Sequence, residues 1–307
     1  MDRRSFLHAV PAAALLVAAS RVGAQNVAPG TPVVTPLADK LWLVSGCGGN
    51  VTVFDSPQGV LLVDGGSAEH SPALLREVQR LTGRSAVHTL FNTHWHHEQT
   101  GSNDVLGQAG TRIIAHEYTR QWLTTDIESR WQQRVFLPYP KHALPSQTFY
   151  TREEMEFGGE RIEYGHLGQA HTDGDIYVFF RKANVLVAGD VVAVGRFPLV
   201  DPDSNGWIGG IATAAGTLAG LADERTQVIP GLGAPQKLAH VKAEAAMLET
   251  LRQRLAQLLA QGLSASEMVE KKPAAEFEAE WGDPAQLIRN AYPGLAHRAR
   301  ELGVSIV

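Results

Sequence analysis

Thr93-His94-Trp95-His96-His97-Glu98-Gln99-Thr100-Gly101 holds three of the 12 histidines of this chain. It follows Val87-His88-Thr89-Leu90-Phe91, an apolar run of strand length that ends in a loop. In an extended backbone side chains alternate between faces, which puts His94, His96 and Glu98 on one side and Trp95 and His97 on the other. Two imidazoles and a carboxylate converging from a strand end suit a borderline metal such as zinc. A histidine-rich surface loop fits these residues equally well. One H-x-H does not separate the two readings, so the rest of the chain decides.

Asp64-Gly65-Gly66 closes an apolar run, His171 stands in Ala170-His171-Thr172-Asp173-Gly174-Asp175, and Asp190 ends Ala188-Gly189-Asp190. The histidine stretch resembles the H-x-H-x-D-H signature of the metallo-β-lactamase superfamily, with Glu98 at the Asp position and Gln99 at the last His. The other landmarks follow in the family's order, from about Leu37 to about Gly233. The resemblance implies an α/β fold, a four-layer αββα sandwich in which two sheets face each other between helices. It also implies that His94, His96 and His171 bind a catalytic zinc whose fourth position is open to water. Zinc so held lowers the pKa of water to about 7. By the same resemblance Asp190 bridges or joins the second metal of the superfamily, and Asp64 supports the histidine loop from behind.

Two departures bear on the metal count. Gln99 replaces a histidine, and a neutral amide is a poor zinc ligand. Pro230-Gly231-Leu232-Gly233 resembles the family's Pro-Gly-His-Gly, with Leu232 where the last histidine belongs. One zinc per chain is therefore expected rather than two. Glu98 is then free to act as general base beside Asp190. Iron fits as well, through a triad of His94 or His96 with His171 and Asp190. His97 and His116 read as supporting, capping or surface residues, and His166 has no assigned role. The expected activity is hydrolysis of an ester, lactone or amide in a small molecule. The alternatives are a mononuclear iron oxidoreductase and a non-catalytic metal- or ligand-binding protein.

The N-terminus reads as an export segment over 1–24. Arg3-Arg4-Ser5-Phe6-Leu7 resembles a twin-arginine signal, and Val22-Gly23-Ala24 offers a cleavage site after Ala24, which places the mature protein in the periplasm. The intervening apolar run, 9–19, is shorter than the ~20 residues a spanning helix needs. Residues 25–36, rich in Pro, Thr and Val, read as a linker, and 37–307 as one domain with C-terminal helices. A net charge of −5 with 19% charged residues argues against a nucleic-acid partner. No later stretch approaches a membrane span. Cys47, the single cysteine, excludes an intramolecular disulfide and reads as a small residue in the turn between Gly46 and Gly48.

Local patterning supplies the elements. Strands are expected at 41–44, 51–54 and 60–64, then a helix over 72–82 capped by Ser71 and ended by Gly83. A helical connection at 101–110, a strand at 113–115 and a helix at 117–124 follow. Residues 125–150, rich in aromatics and prolines, read as a pocket wall or as packing on the core. Strands at 155–157, 161–164, 176–180 and 185–188 come next, then a helix over 211–221 and a strand at 228–231. The longest helix, 238–260, carries Val241, Leu248, Leu251 and Leu255 on one stripe, with Lys242, Glu244, Glu249 and Arg252 opposite. The tail from Ser264 reads as helical and polar.

Overall fold

The computed structural model describes residues 30–299. The export segment and the first part of the linker lie outside the described residues. The first half runs β1 (Val33–Ala38), β2 (Leu41–Cys47), β3 (Gly49–Ser56), β4 (Gly59–Val63), α1 (Ser71–Thr82), β5 (Val87–Phe91), α2 (His97–Thr100), α3 (Asn103–Gln108), β6 (Arg112–His116), α4 (Glu117–Trp122), β7 (Ile127–Ser129), β8 (Arg134–Phe136) and β9 (Gln147–Phe149). The second half runs β10 (Arg152–Phe157), β11 (Glu160–His166), β12 (Ile176–Phe180), β13 (Val185–Gly189), α5 (Ile208–Leu221), β14 (Gln227–Pro230), α6 (Leu238–Ala260), α7 (Ala265–Glu270), α8 (Glu278–Trp281) and α9 (Ala285–His297).

Two sheets form, ordered β1-β2-β3-β4-β5-β6-β9 and β10-β11-β12-β13-β14, with β7-β8 a separate hairpin. Strand β4 explains the layering. Leu61 and Val63 point into the space between the sheets, while Val60 and Leu62 point out toward the helices. A strand buried on both faces has to read as a continuous apolar run. Between the sheets, Leu61, Phe91 and Ile114 meet Tyr164, Val178, Phe180 and Val187. Leu74 and Val78 of α1 and Leu106 of α3 cover the outside of the first sheet. Helices α5, α6 and α9 cover the second. The result is the four-layer αββα sandwich that the resemblance implied. Helix α1 ends at Gly83, whose φ of 70° lets its N–H donate to the Gln79 carbonyl. Ser71 lies inside this helix and does not cap it.

Three expectations change. Residues from Val33 onward do not act as linker, because β1 pairs antiparallel with β2 from Val33↔Ser45 to Ala38↔Leu41. The tail beyond Ser264 is no polar appendage, since α9 buries Leu287, Ile288, Ala291 and Leu295 in the core shared with α5 and α6. Glu244, read as facing solvent, is fully buried. Glu244 is buried because it stands on the leucine stripe itself, three residues after Val241 and four before Leu248. That stripe packs against α5 and α9, while Lys242, Ala246 and Gln253 on the far side are exposed. Among the described residues no helix is long and apolar enough to cross a membrane.

Candidate metal centre

The donors gather where the strands of both sheets end. Strand β5 stops at Phe91 and α2 starts at His97, so His94 and His96 sit in the short loop between them. His171 comes from the β11–β12 connection, and Asp190 follows β13. The four side chains bring ligand atoms within 4.8 Å of one another. The three imidazole ring centres form a near-equilateral triangle with sides of 4.8, 4.9 and 4.8 Å.

Each ring has its tautomer set from outside the triangle. Asp64, in the left-handed region at φ 66°, accepts the Thr93 N–H at 2.7 Å and the Thr93 hydroxyl at 2.9 Å. That hydroxyl has a lone pair left for His94 Nδ1–H, 3.1 Å away. His96 Nε2–H donates to Asp201 Oδ2 at 2.9 Å, and His171 Nδ1–H donates to the Leu199 carbonyl at 2.8 Å. His94 Nε2, His96 Nδ1 and His171 Nε2 are thus left as bare lone pairs facing inward. Two of them, His171 Nε2 and His96 Nδ1, lie only 3.1 Å apart. Lone pairs at that separation repel unless a cation is close. His94 Nε2 and Asp190 Oδ1 are buried without a hydrogen-bond partner, and Asp190 Oδ2 lies 3.8 Å from His171 Nε2. Buried polar atoms are rarely left unsatisfied, so this set suits a divalent ion such as zinc.

The electrostatics agree with a neutral His94 ring. Burial, with the neighbouring His96 and His171, pushes His94 well below the usual histidine range. Burial also raises Asp64 well above the ordinary carboxylate range, against its two bonds from Thr93. For Asp201 burial alone would act upward, but the hydrogen bonds of His96 and Ser204 hold it down to about 2. Asp175 supports the His171 loop by accepting the Thr172 N–H at 2.6 Å, and burial pushes it up to about 7.

Glu98 does not share a face with His94 and His96. Helix α2 begins at His97, so the alternation of an extended strand stops there, and Glu98 stands exposed on the rim of the cleft. His97 packs on Phe136 and Tyr139, and Trp95 is buried against Phe136. His116 caps α4 by accepting the Tyr118 N–H, and it stacks on His166 at 3.7 Å, outside the four-residue cluster. Gln99 is buried at the cleft with its Oε1 unpartnered, whereas Leu232 is half exposed at its edge.

The cleft encloses about 160 Å³. Its walls include Trp131, Arg196, Leu199 and Leu232, with Glu98 and Asp190 beside the histidines. Residues 125–150 divide between the two roles expected of them. Trp131 lines the cleft and donates from Nε1 to Asp201 Oδ1 at 3.0 Å. Phe136 joins Trp95, Leu123 and Ile127 in a small core of its own, with Tyr139 packed against it. Sequence reading missed Asp201, which ties Trp131 to His96. Its one local signal, an Asp before Pro202 that caps the following turn, concerns only the backbone.

The family profile described as "Metallo-beta-lactamase superfamily" matches residues 44–256. Among solved structures, a metallo-beta-lactamase from Pontibacter korlensis superposes with a TM-score of 0.58 at 18% identity, covering 71% of this chain and 99% of that one. The stereoselective inverting sec-alkylsulfatase Pisa1 from Pseudomonas sp. superposes at 0.68 with 16% identity, covering 86% of this chain and 50% of that one. Among curated proteins, the 2,4-dinitroanisole O-demethylase subunit alpha of Nocardioides sp. (strain JS1661) is 24% identical over 174 residues, 55% of this chain and 48% of that protein. The chain thus matches about half the length of that relative. At these identities the solved structures speak to the fold alone.

Proposed function

We propose, from the premise that this chain belongs to the metallo-β-lactamase superfamily, that it is a zinc-dependent hydrolase of an ester, lactone or amide bond in a small molecule. The observation that carries this reading is the set of three inward lone pairs on His94, His96 and His171, each tautomer held from behind, with the unpartnered Asp190 carboxylate beside them. A zinc ion bound there supplies the acidification of water that hydrolysis near neutral pH needs. Asp190 orients the attacking water by accepting its hydrogen bond. Glu98, on the rim, takes up a proton and returns it to the leaving group. Trp131, Leu199 and Leu232 give the substrate an apolar bed, and Arg196 offers a cation to a polar or anionic substituent.

One zinc per chain is the stoichiometry we favour. Gln99 and Leu232 line the same cleft without adding an imidazole. We further propose periplasmic location after cleavage behind Ala24, on the strength of Arg3-Arg4 and Val22-Gly23-Ala24. Sequencing the N-terminus of periplasmic protein tests the export reading, and Gln25 is the expected first residue.

A second reading has one specific support. His94 or His96, His171 and Asp190 also compose the two-histidine, one-carboxylate set used by mononuclear iron enzymes. The curated relative is named as an O-demethylase subunit. Elemental analysis of anaerobically purified protein, followed by a panel of chromogenic esters, lactones and β-lactams, separates these readings. Zinc near one equivalent with turnover on the panel is the expected result. Iron with no hydrolysis would overturn the hydrolase reading, and zinc with no turnover on any member would favour a binding protein.

A further inference from the structure

The cleft wall that carries Asp190 is held from behind by a pair of ionisable groups for which the reading above has no use. Ala193 lines the cleft, as do Asp190 and Arg196 on either side of it in the chain. Both backbone polar groups of Ala193 are taken by side chains one turn apart on α6. Its N–H donates to Glu244 Oε1 at 3.1 Å, and its carbonyl accepts from His240 Nε2 at 2.7 Å. The two side chains also approach each other, with His240 Nε2 3.9 Å from Glu244 Oε2. Trp281 of α8 lies under this contact, 5.0 Å from the His240 ring and 6.5 Å from Phe197.

Stability alone gives little reason for an acid here. Glu244 is fully buried, its Oε2 has no hydrogen-bond partner, and burial raises it well above the ordinary glutamate range. An apolar side chain of similar size in such a place is often neutral or stabilising. Asp190 supplies the contrast. Its carboxylate reaches the histidines with no side-chain hydrogen bond to aim Oδ1, so its direction is inherited from the backbone. On one side that backbone is tied by the Gly231 N–H, which donates to the Gly189 carbonyl at 2.8 Å. On the other side Val191 and Val192 are packed in the core, but the next firm hydrogen bond to the backbone is at Ala193, since the intervening Val192 N–H reaches Gly189 O only at 3.5 Å.

We propose that Glu244, with His240, is a positioning residue of the metal centre: the pair fixes Ala193 and so presents the Asp190 carboxylate to the three histidines. The assignment rests on the metal-centre reading above. It also gives the C-terminal helical layer a function, because α6 and α8 then brace the catalytic cleft from behind.

The test is a cobalt(II) titration of the full-length protein, following the visible spectrum, for the parent, Glu244→Gln and Glu244→Leu, with melting curves of each metal-free protein. The amide of Gln keeps an acceptor for the Ala193 N–H, so Glu244→Gln should hold cobalt within about threefold of the parent and with the same spectrum. Leu keeps the bulk and loses the bond. Glu244→Leu should bind cobalt about tenfold or more weakly, on the scale of other groups that support metal ligands, with a changed spectrum and a melting curve that still shows a cooperatively folded protein. A Leu variant with the parent's affinity and spectrum overturns the proposal, as does a Gln variant impaired as much as the Leu variant. If Glu244→Leu does not fold, His240→Leu carries the test, and unchanged cobalt affinity there overturns the proposal. A parent protein that takes up no cobalt overturns the metal-centre reading, and this inference with it.

Discussion

His96 Nε2 lies 2.9 Å from Asp201 Oδ2, a contact that joins residues 105 positions apart. Asp201 Oδ1 also accepts from Trp131 Nε1, so one buried carboxylate sets the orientation of a candidate ligand and of a cleft wall together. Outer partners of ligating histidines fix ring orientation and basicity. Asp201→Ala should therefore weaken zinc binding by about 10- to 100-fold and shift the emission of Trp131. Competition against a chelating dye, with fluorescence spectra of both proteins, checks this. Unchanged zinc affinity would show that His96 does not depend on this bond.

A Cβ on Gly231 would stand 1.9 Å from Asp190 Oδ1. Gly231→Ala should push the carboxylate away from the histidines and lower metal affinity by about tenfold or more, while overpacking destabilises the fold by about 1–3 kcal/mol. Gly216→Ala is the control, because a Cβ there meets nothing within 4 Å. The control should bind zinc like the parent and melt at the same or a higher temperature.

Glu98→Gln separates proton transfer from metal binding. The side chain is exposed and outside the cluster proposed to hold the ion, so zinc content should stay normal. The hydrolytic rate should fall by roughly 100- to 10,000-fold, the scale of a positioned general base. A pH–rate series with zinc measured on each sample decides the point. Full activity with normal zinc content would leave Asp190 as the only protein group assisting the water.

A second metal should need two changes at once. Gln99 is buried at the cleft, Leu232 sits at its edge, and neither offers a zinc donor of the usual kind. Gln99→His with Leu232→His is expected to raise zinc content from about one to about two equivalents, and neither change alone should do so. Native mass spectrometry counts the ions. Two tightly held ions in the unaltered protein would refute the one-metal stoichiometry.

The stacked pair His116 and His166 predicts a pH effect on stability. Burial, then the neighbouring His166, lowers His116 from 6.5 to about 4. A histidine depressed in the folded state adds stability that is present above 6.5 and is lost as the pH falls through about 4. Protonation would also remove the acceptor that caps α4 at the Tyr118 N–H. Glu117 of α4 works weakly the other way. Melting temperature measured from pH 7 to pH 4 should fall, and His116→Gln should flatten that fall.

Apolar runs such as 60–63 and 176–180 were legible as strands, and the resemblance to the metallo-β-lactamase superfamily supplied the four-layer arrangement in which both their faces are buried. His94 and His96 were legible as candidates from their H-x-H spacing after a strand, and His171 and Asp190 from the order of the family's landmarks. Glu98 was misplaced for a local reason. Period-two alternation fails once the chain turns helical at His97, and four residues of helix leave no periodic signature.

What only the tertiary structure decided depends on contacts between distant parts of the chain. Whether Asp201 is a turn cap or the partner of His96 turns on where the β7–β8 hairpin brings Trp131. Glu244 shares the face of Val241 and Leu248, and what it meets there, the Ala193 N–H behind the cleft, depends on how the segment after β13 packs on α6. Sequence by itself therefore determined the layers and the donors. The packing of segments far apart in the chain decided which groups aim those donors, because a hydrogen bond depends on distance and angle in space and not on spacing along the chain.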